Sequence, residues 1–446
     1  MTIALIGFAA VLVLVFLRLP IAFAMGIVGV VGFAAINDWN WVSAMSPAAG
    51  NLLDTAQTES LSVIPLFILM GMFVSKAGLA NELYQASYAF LGHRRGGLAM
   101  ATIVACGGFS AICGSSLATA ATMSKVAMPQ MRKFGYADSL ATASIASGGT
   151  LGILIPPSVI LIIYGIMTEQ SIDKLFLAGI IPGLIGILFY LAAVRWTVFR
   201  DPAAGPAGEK SDWRQRLAAM KDVWGIVLLF VAVLGGIYAG IYTTTEAAGI
   251  GAAGALIIAL LKRMMTWRAF FEALISTIRT SAMLFTVLIG AQIFQVFIVR
   301  TGMPDDLVAF VTGFGLTPML VIALILLVYI ILGCVFESLS MLLLTVPVFA
   351  PLVASLGLFP DYPPAQAQEL SLIWFGIIVV VVTEISLITP PVGLNVFVLR
   401  GVLGDVTTGT IFKGVTPFWV FDIFRLAALT LLPWLVLIVP WSMRGI

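Results

Sequence analysis

Apolar runs of about 18–20 residues, the length at which a helix crosses a hydrocarbon core, recur from one end of this 446-residue chain to the other. Lipid offers no partner to a backbone amide or carbonyl, so a run of that length folds as a helix that satisfies its own backbone. Charge points the same way. Asp, Glu, Lys and Arg make up 10% of the chain against 61% apolar residues, whereas soluble domains carry about 25% charged residues. A soluble globular enzyme is excluded, and the chain reads as an all-α polytopic membrane protein. A single histidine, His93, and three cysteines, Cys106, Cys113 and Cys334, are too few for a haem, iron–sulfur or zinc site. The cysteines read as small buried hydrophobes, and no organic cofactor is expected. Met1-Thr2-Ile3-Ala4-Leu5 lacks a basic n-region, so the start reads as a first span rather than a removed signal peptide.

Ten full spans are expected, near 2–17, 21–36, 61–77, 139–168, 174–199, 223–241, 244–262, 277–300, 370–400 and 412–441. Two further stretches, 97–133 and 317–355, break midway at Cys113-Gly114-Ser115-Ser116 and at Phe336-Glu337-Ser338-Leu339-Ser340. Each reads as a re-entrant hairpin whose polar tip is tolerated at membrane depth only beside protein or a wet cavity. Charge placement supports two hairpins. With the N-terminus outside, Arg18, Arg94, Arg132, Arg195, Lys262, Arg279, Arg400 and Lys413 fall on the cytoplasmic side. Asp38, Glu59, Asp173, Asp305, Asp361 and Glu369 fall opposite, a positive-inside asymmetry that reading either hairpin as one full span would reverse.

Residues 201–222 are the only hydrophilic linker of any length, and they divide the chain into 1–200 and 223–446. The two parts share an order of features: span, short amphipathic helix, hairpin, broken span, span. Ile155-Pro156-Pro157 breaks the span at 139–168 as Thr389-Pro390-Pro391 breaks that at 370–400. The hairpins open to opposite sides, which makes the repeat inverted. An inverted repeat with a discontinuous helix in each half is the signature of a secondary transporter. Segments Trp267–Glu272 and Glu82–Phe90 read as helices lying along the interface, and Trp39, Trp41, Trp434 and Trp441 as belt residues.

The chemistry belongs at the tips and breaks. A broken helix frees carbonyls that suit a dehydrated cation and amides that attract an anion. Small hydroxyls add neutral oxygens, the donors that hard cations such as sodium take (by extension from calcium and magnesium). In the first half these are Gly114, Ser115 and Ser116 facing Ser147-Gly148-Gly149-Thr150; Gly148-Gly149 loosens the backbone and Pro156-Pro157 removes two amide donors. In the second half the tip offers Glu337, Ser338 and Ser340, and the broken span offers Thr383, Glu384, Ser386, Thr389, Pro390, Gly393 and Asn395. Glu337 and Glu384 are ionisable at membrane depth and mark a functional site by default; proton carriage and a structural hydrogen-bonded carboxyl both stay open. Arg300, Arg400 and Arg425 read as span-end or interface residues. No histidine is placed to activate Ser115 or Ser116 as a nucleophile, and no Walker-type loop occurs.

Three segments carry a resemblance. Phe109-Ser110-Ala111-Ile112-Cys113-Gly114-Ser115-Ser116-Leu117-Ala118-Thr119, Gly148-Gly149-Thr150-Leu151-Gly152-Ile153-Leu154-Ile155-Pro156-Pro157-Ser158 and Thr389-Pro390-Pro391-Val392-Gly393-Leu394-Asn395, in this order, resemble the large membrane subunit of the TRAP (tripartite ATP-independent periplasmic) transporters. The match covers essentially the whole chain, with Cys113 standing where relatives commonly carry serine. The resemblance implies a sodium-driven importer of organic anions, C4-dicarboxylates or sialic and other sugar acids among them, in a bacterial inner membrane. It implies a periplasmic substrate-binding protein and a separate small four-helix membrane subunit as partners, with no nucleic acid. It also implies an elevator motion of hairpins and broken helices against the other spans. By motif, one sodium is expected near Gly114, Ser115, Ser116, Gly149 and Thr150, and a second near Ser338, Thr383, Thr389 and Pro390. Substrate contacts are expected from Ser116, Thr119, Pro156, Glu337, Ser340, Glu384 and Asn395. A stand-alone ion-coupled anion transporter or sodium/proton antiporter is the alternative of like architecture. A membrane-embedded enzyme would need a polar catalytic set that this chain lacks.

Overall fold

The computed structural model describes residues 1–334 and 336–442, and among these the chain is all-α with no strand. Helices α1 (Thr2–Phe16) and α2 (Ile21–Ile36) adjoin at the start, followed by α3 (Trp41–Gln57), α4 (Val63–Lys76) and α5 (Leu79–Leu91). Next come α6 (Gly97–Cys113) and α7 (Ser116–Lys133), then α8 (Asp138–Thr150), α9 (Val159–Thr168) and α10 (Ile172–Arg200). The linker region holds α11 (Trp213–Asp222), and a bent run follows through α12 (Trp224–Phe230), a π turn and α13 (Gly236–Tyr238). Beyond it lie α14 (Thr244–Leu261), α15 (Trp267–Arg300), α16 (Met303–Gly313), α17 (Pro318–Gly333) and α18 (Ser338–Ser355). The last are α19 (Pro364–Ser386), α20 (Leu394–Leu403), α21 (Thr408–Leu431) and α22 (Trp434–Ser442).

Both expected hairpins fold back on themselves. Tyr136, just beyond α7, accepts a hydrogen bond from the Leu98 amide at 3.1 Å, closing the base of α6–α7. In α17–α18 the Thr345 hydroxyl donates to Tyr329 at 2.6 Å, and the Tyr329 and Phe349 rings lie 5.9 Å apart. Seven described helices are long and apolar enough to cross a membrane, and eight if the bent run from Trp213 to Tyr238 counts as one. Helices α1 and α2 have only 15 and 16 residues, about 22–24 Å at 1.5 Å per residue. Conversely α18, expected as a short hairpin arm, is 18 residues long and passes the same test.

Three other boundaries differ for local reasons. The segment at Trp267 is not a separate interface helix: no Gly or Pro occurs between it and Gly290, so it runs on into the next span as the 34-residue α15. The expected span at 412–441 is instead two helices, because Pro433 lacks an amide donor and disfavours helical geometry at the residue before it. Leu432 there has φ −123° and ψ 71°. Helix α3 was not foreseen; its N-cap Asn40, accepting from the Ser43 amide at 3.0 Å, is its clearest local signal.

Burial sorts the helices. In α19 every residue from Leu370 to Ser386 is buried, as expected of a helix that is apolar on all sides. Helices α6, α8 and α18 are likewise buried along most of their length. By contrast α15 leaves Phe271, Ile275 and Ile278 more than half exposed, a lipid-facing flank. The linker is docked rather than loose: the Gly96 and Ala137 amides donate to the carbonyls of Gly205 and Ala204, at the base of the α6–α7 hairpin.

Candidate functional site

Two tips and two helix breaks meet in the interior. At the first tip Gly114 ends α6 with φ +62°, a conformation that favours glycine. Ser115 then caps α7, its hydroxyl accepting from the Ala118 amide at 3.4 Å. The first break follows α8 as a short 3-10 turn at Leu151–Ile153 and an irregular stretch through Pro156-Pro157. It ends where Ser158 caps α9 and donates to the Ile153 carbonyl at 2.5 Å. Tip and break touch through glycine: a Cβ on Gly152 would stand 2.8 Å from the Ser115 carbonyl carbon and oxygen.

The second pair is built alike. Helix α17 ends at Gly333, where a Cβ would stand 2.1 Å from Cβ of Ser386, at the end of α19. Beside it the Cys334 thiol donates to the Pro390 carbonyl at 3.5 Å. The two breaks also join each other directly, since Asn395 Nδ2 donates to the Ala146 carbonyl at 3.0 Å.

Between the tips lies a cavity of about 230 Å³. Gly114, Ser115 and Ser116 line it from one tip, Glu337 and Ser338 from the other. Helices α4 and α15 close it with Met72, Thr280 and Met283. Ser116, Ser338 and Val159 are the first residues of α7, α18 and α9, so three helix N-termini carrying partial positive charge converge here. Among the described residues no lysine, arginine or histidine lines this cavity.

Five of the residues expected from sequence therefore share the cavity: Gly114, Ser115, Ser116, Glu337 and Ser338. The others are placed elsewhere. The Thr119 hydroxyl turns back to the Ser115 carbonyl at 2.8 Å. Pro156 packs beneath Gly179 of α10, and Gly149 against Ala120. Ser340 is buried within α18. Thr389 donates to the Ile385 carbonyl and accepts from Trp419, so its hydroxyl is occupied. Pro390 is exposed. Among the described residues, the buried hydroxyls of Ser110, Ser147 and Thr383 have no hydrogen-bond partner, leaving neutral oxygens unused near the first tip and the breaks.

Glu384 is a correction, and so is Arg425. Glu384 does not line the cavity; it is fully buried and paired at 2.5 Å with Arg425, itself fully buried and not at a span end. The same Nη2 stands 3.0 Å from Asp422 of α21. Tyr190 of α10 donates to the other Asp422 oxygen at 2.6 Å, and Thr150 stands 2.9 Å from the Tyr190 hydroxyl. The guanidinium sits over the Tyr190 ring, 5.6 Å from its centroid. A sequence signal was there: Asp422 and Arg425 stand three apart inside an apolar run, and Glu384 needed a partner at that depth. Outside the span region Arg132, at the end of α7, pairs with Asp138 and with Asp405. The hydrogen bond from Arg132 holds Asp405 below the usual carboxylate range. That exposed link is complete at neutral pH and is lost only as pH falls through the lowered value.

Residues 8–435 match the family described as tripartite ATP-independent periplasmic transporter, DctM component. The chain is 36% identical to the C4-dicarboxylate TRAP transporter large permease protein DctM of Pseudomonas aeruginosa, over 87% of this chain and 88% of that one. It is 30% identical to the sialic acid TRAP transporter large permease protein SiaM of Vibrio cholerae, over 97% of each. It is also 30% identical to the 2,3-diketo-L-gulonate TRAP transporter large permease protein YiaN of Escherichia coli, over 86% of each. Among solved structures, the crystal structure of the Alcanivorax borkumensis YdaH transporter superposes with a TM-score of 0.59 at 14% identity. That superposition covers 88% of this chain and 89% of the other, a likeness of fold.

Proposed function

Because the chain belongs to the DctM component family of the tripartite ATP-independent periplasmic transporters, we propose that it is the permease of a sodium-coupled importer of an organic anion. The observation that supports this best is the cavity between the two tips. It offers an anion three helix N-termini and no fixed positive side chain. A carboxylate entering alone meets partial positive charges and the Glu337 carboxyl, so a co-bound cation supplies the full opposite charge. The named substrates of the relatives are organic acids of different size, which suits a cavity that recognises a carboxyl end and leaves the remainder to other contacts.

The first sodium lies, in this reading, between Ser115, Ser116 and the carbonyl end of α8 at Gly149 and Thr150. The second lies between Ser338, Thr383 and the break at Thr389-Pro390. Glu337, at the cavity wall, is the group there that would bind a cation or proton. Two inverted halves, 1–200 and 223–446, carry these sites. Hairpins and broken helices move together against α4, α14 and α15. The N-terminus faces the periplasm, a periplasmic binding protein delivers the substrate, and a small four-helix membrane subunit braces the large one.

Proteoliposomes holding the chain with its small subunit test this. Labelled succinate, sialic acid and a keto sugar acid are offered with and without the cognate binding protein, and with or without an inward sodium gradient. Uptake of one acid is expected only when binding protein and sodium are both present. Uptake with sodium but without the binding protein would establish a stand-alone carrier instead. Uptake indifferent to sodium would overturn the coupling.

A further inference from the structure

Glu384, Asp422 and Arg425 are the fully buried charged side chains among the described residues, and none of them lines the cavity. What they reach is Thr150. The Thr150 hydroxyl has one proton and two acceptors in range, the Ser147 carbonyl at 2.8 Å and the Tyr190 oxygen at 2.9 Å. Tyr190 has its own proton committed to Asp422 at 2.6 Å. Arg425 holds Asp422 from the other side at 3.0 Å, and Glu384 at 2.5 Å orients the guanidinium. A tyrosine donating to a carboxylate keeps its oxygen lone pairs free to accept. The chain of bonds therefore draws the Thr150 proton toward Tyr190, away from Ser147.

We propose that Tyr190, Asp422 and Arg425 are positioning residues for the first cation site, fixing the direction of the Thr150 hydroxyl so that the Ser147 carbonyl stays open to the cation. The inference rests on the sodium site proposed above. With Tyr190 removed, the Thr150 proton has only the Ser147 carbonyl to bond, and that carbonyl is then shared between the hydroxyl and the ion. Charge-assisted bonds are the stronger kind, which is why a carboxylate at the far end sets the direction better than a neutral group. Gly186 makes the arrangement possible, since a Cβ there would stand 2.2 Å from Arg425 Nη1.

The test measures sodium half-activation of uptake for wild type, Tyr190→Phe, Thr150→Val and the double variant. Tyr190→Phe is expected to raise the half-activating sodium concentration about three- to tenfold, the equivalent of one hydrogen bond, with the maximal rate retained at saturating sodium. In the Thr150→Val background the same change is expected to add nothing, because the hydroxyl it acts through is gone. Asp422→Asn, which still accepts from Tyr190 but without the charge, is expected to shift half-activation in the same direction by less. A fall in maximal rate at unchanged half-activation, or additive effects in the double variant, would overturn the inference while leaving the sodium site intact. Wild-type uptake that ignores sodium would overturn both.

Discussion

Arg425→Met is expected to destabilise the protein by about 3–5 kcal/mol, the cost of stripping the partner from a buried ion pair. The side chain is fully buried, and two carboxylates, Glu384 and Asp422, depend on its Nη2. Removing it leaves two like charges facing each other, both fully buried. Several of its own donors lack partners already, so the guanidinium is held by charge and by the Tyr190 ring more than by a full set of hydrogen bonds. Adding Glu384→Gln to the methionine variant is expected to recover part of the loss, since one uncompensated charge then disappears. Thermal unfolding in detergent, followed by size exclusion, reads this. A methionine variant melting with wild type would mean that the cluster contributes nothing to the fold.

The second large effect comes from the smallest change. Gly152→Ala places a methyl 2.8 Å from the backbone of Ser115 and 3.0 Å from the Ser116 amide, and neither is a flexible side-chain end. Overpacking of that kind costs about 1–3 kcal/mol. Here it is spent on pushing the first tip off the break that it faces, so sodium half-activation is expected to rise about tenfold or more. Gly249→Ala is the control, because a Cβ there meets nothing within 4 Å. If both alanine variants transport alike, tip and break do not need close contact.

Long apolar runs, the paired tips and the paired breaks were legible because each leaves a local mark: hydropathy, a Gly-Ser or a Glu-Ser pair, a Pro-Pro pair. Glycine at 114 and 152 and serine at 115 and 158 do what their chemistry suggests. Side-chain destinations were not legible. Thr389 and Asn395 sit in a recognisable motif, yet one is spent on Trp419 and the other on the Ala146 carbonyl, partners 30 and 249 residues away. Arg425 was misread because a charge in an apolar run looks like a span end until a buried acid is found opposite. Helix lengths failed where continuation depends on a missing breaker, as at Trp267, or on a single proline, as at Pro433.

The ion pair between Glu384 and Arg425 has a consequence for how the protein is made. The two residues are 41 apart in sequence and stand on different helices, α19 and α21. A ribosome delivers Glu384 to the membrane ahead of its counter-charge. Until α21 follows, the end of α19 carries an acid that lipid will not accept at depth. The helix most enclosed in the finished protein is therefore among those least able to settle early. Its final seating waits on the last tenth of the chain, and a polypeptide cut short before Arg425 would present the cell's quality control with an exposed, unpaired acid inside the bilayer.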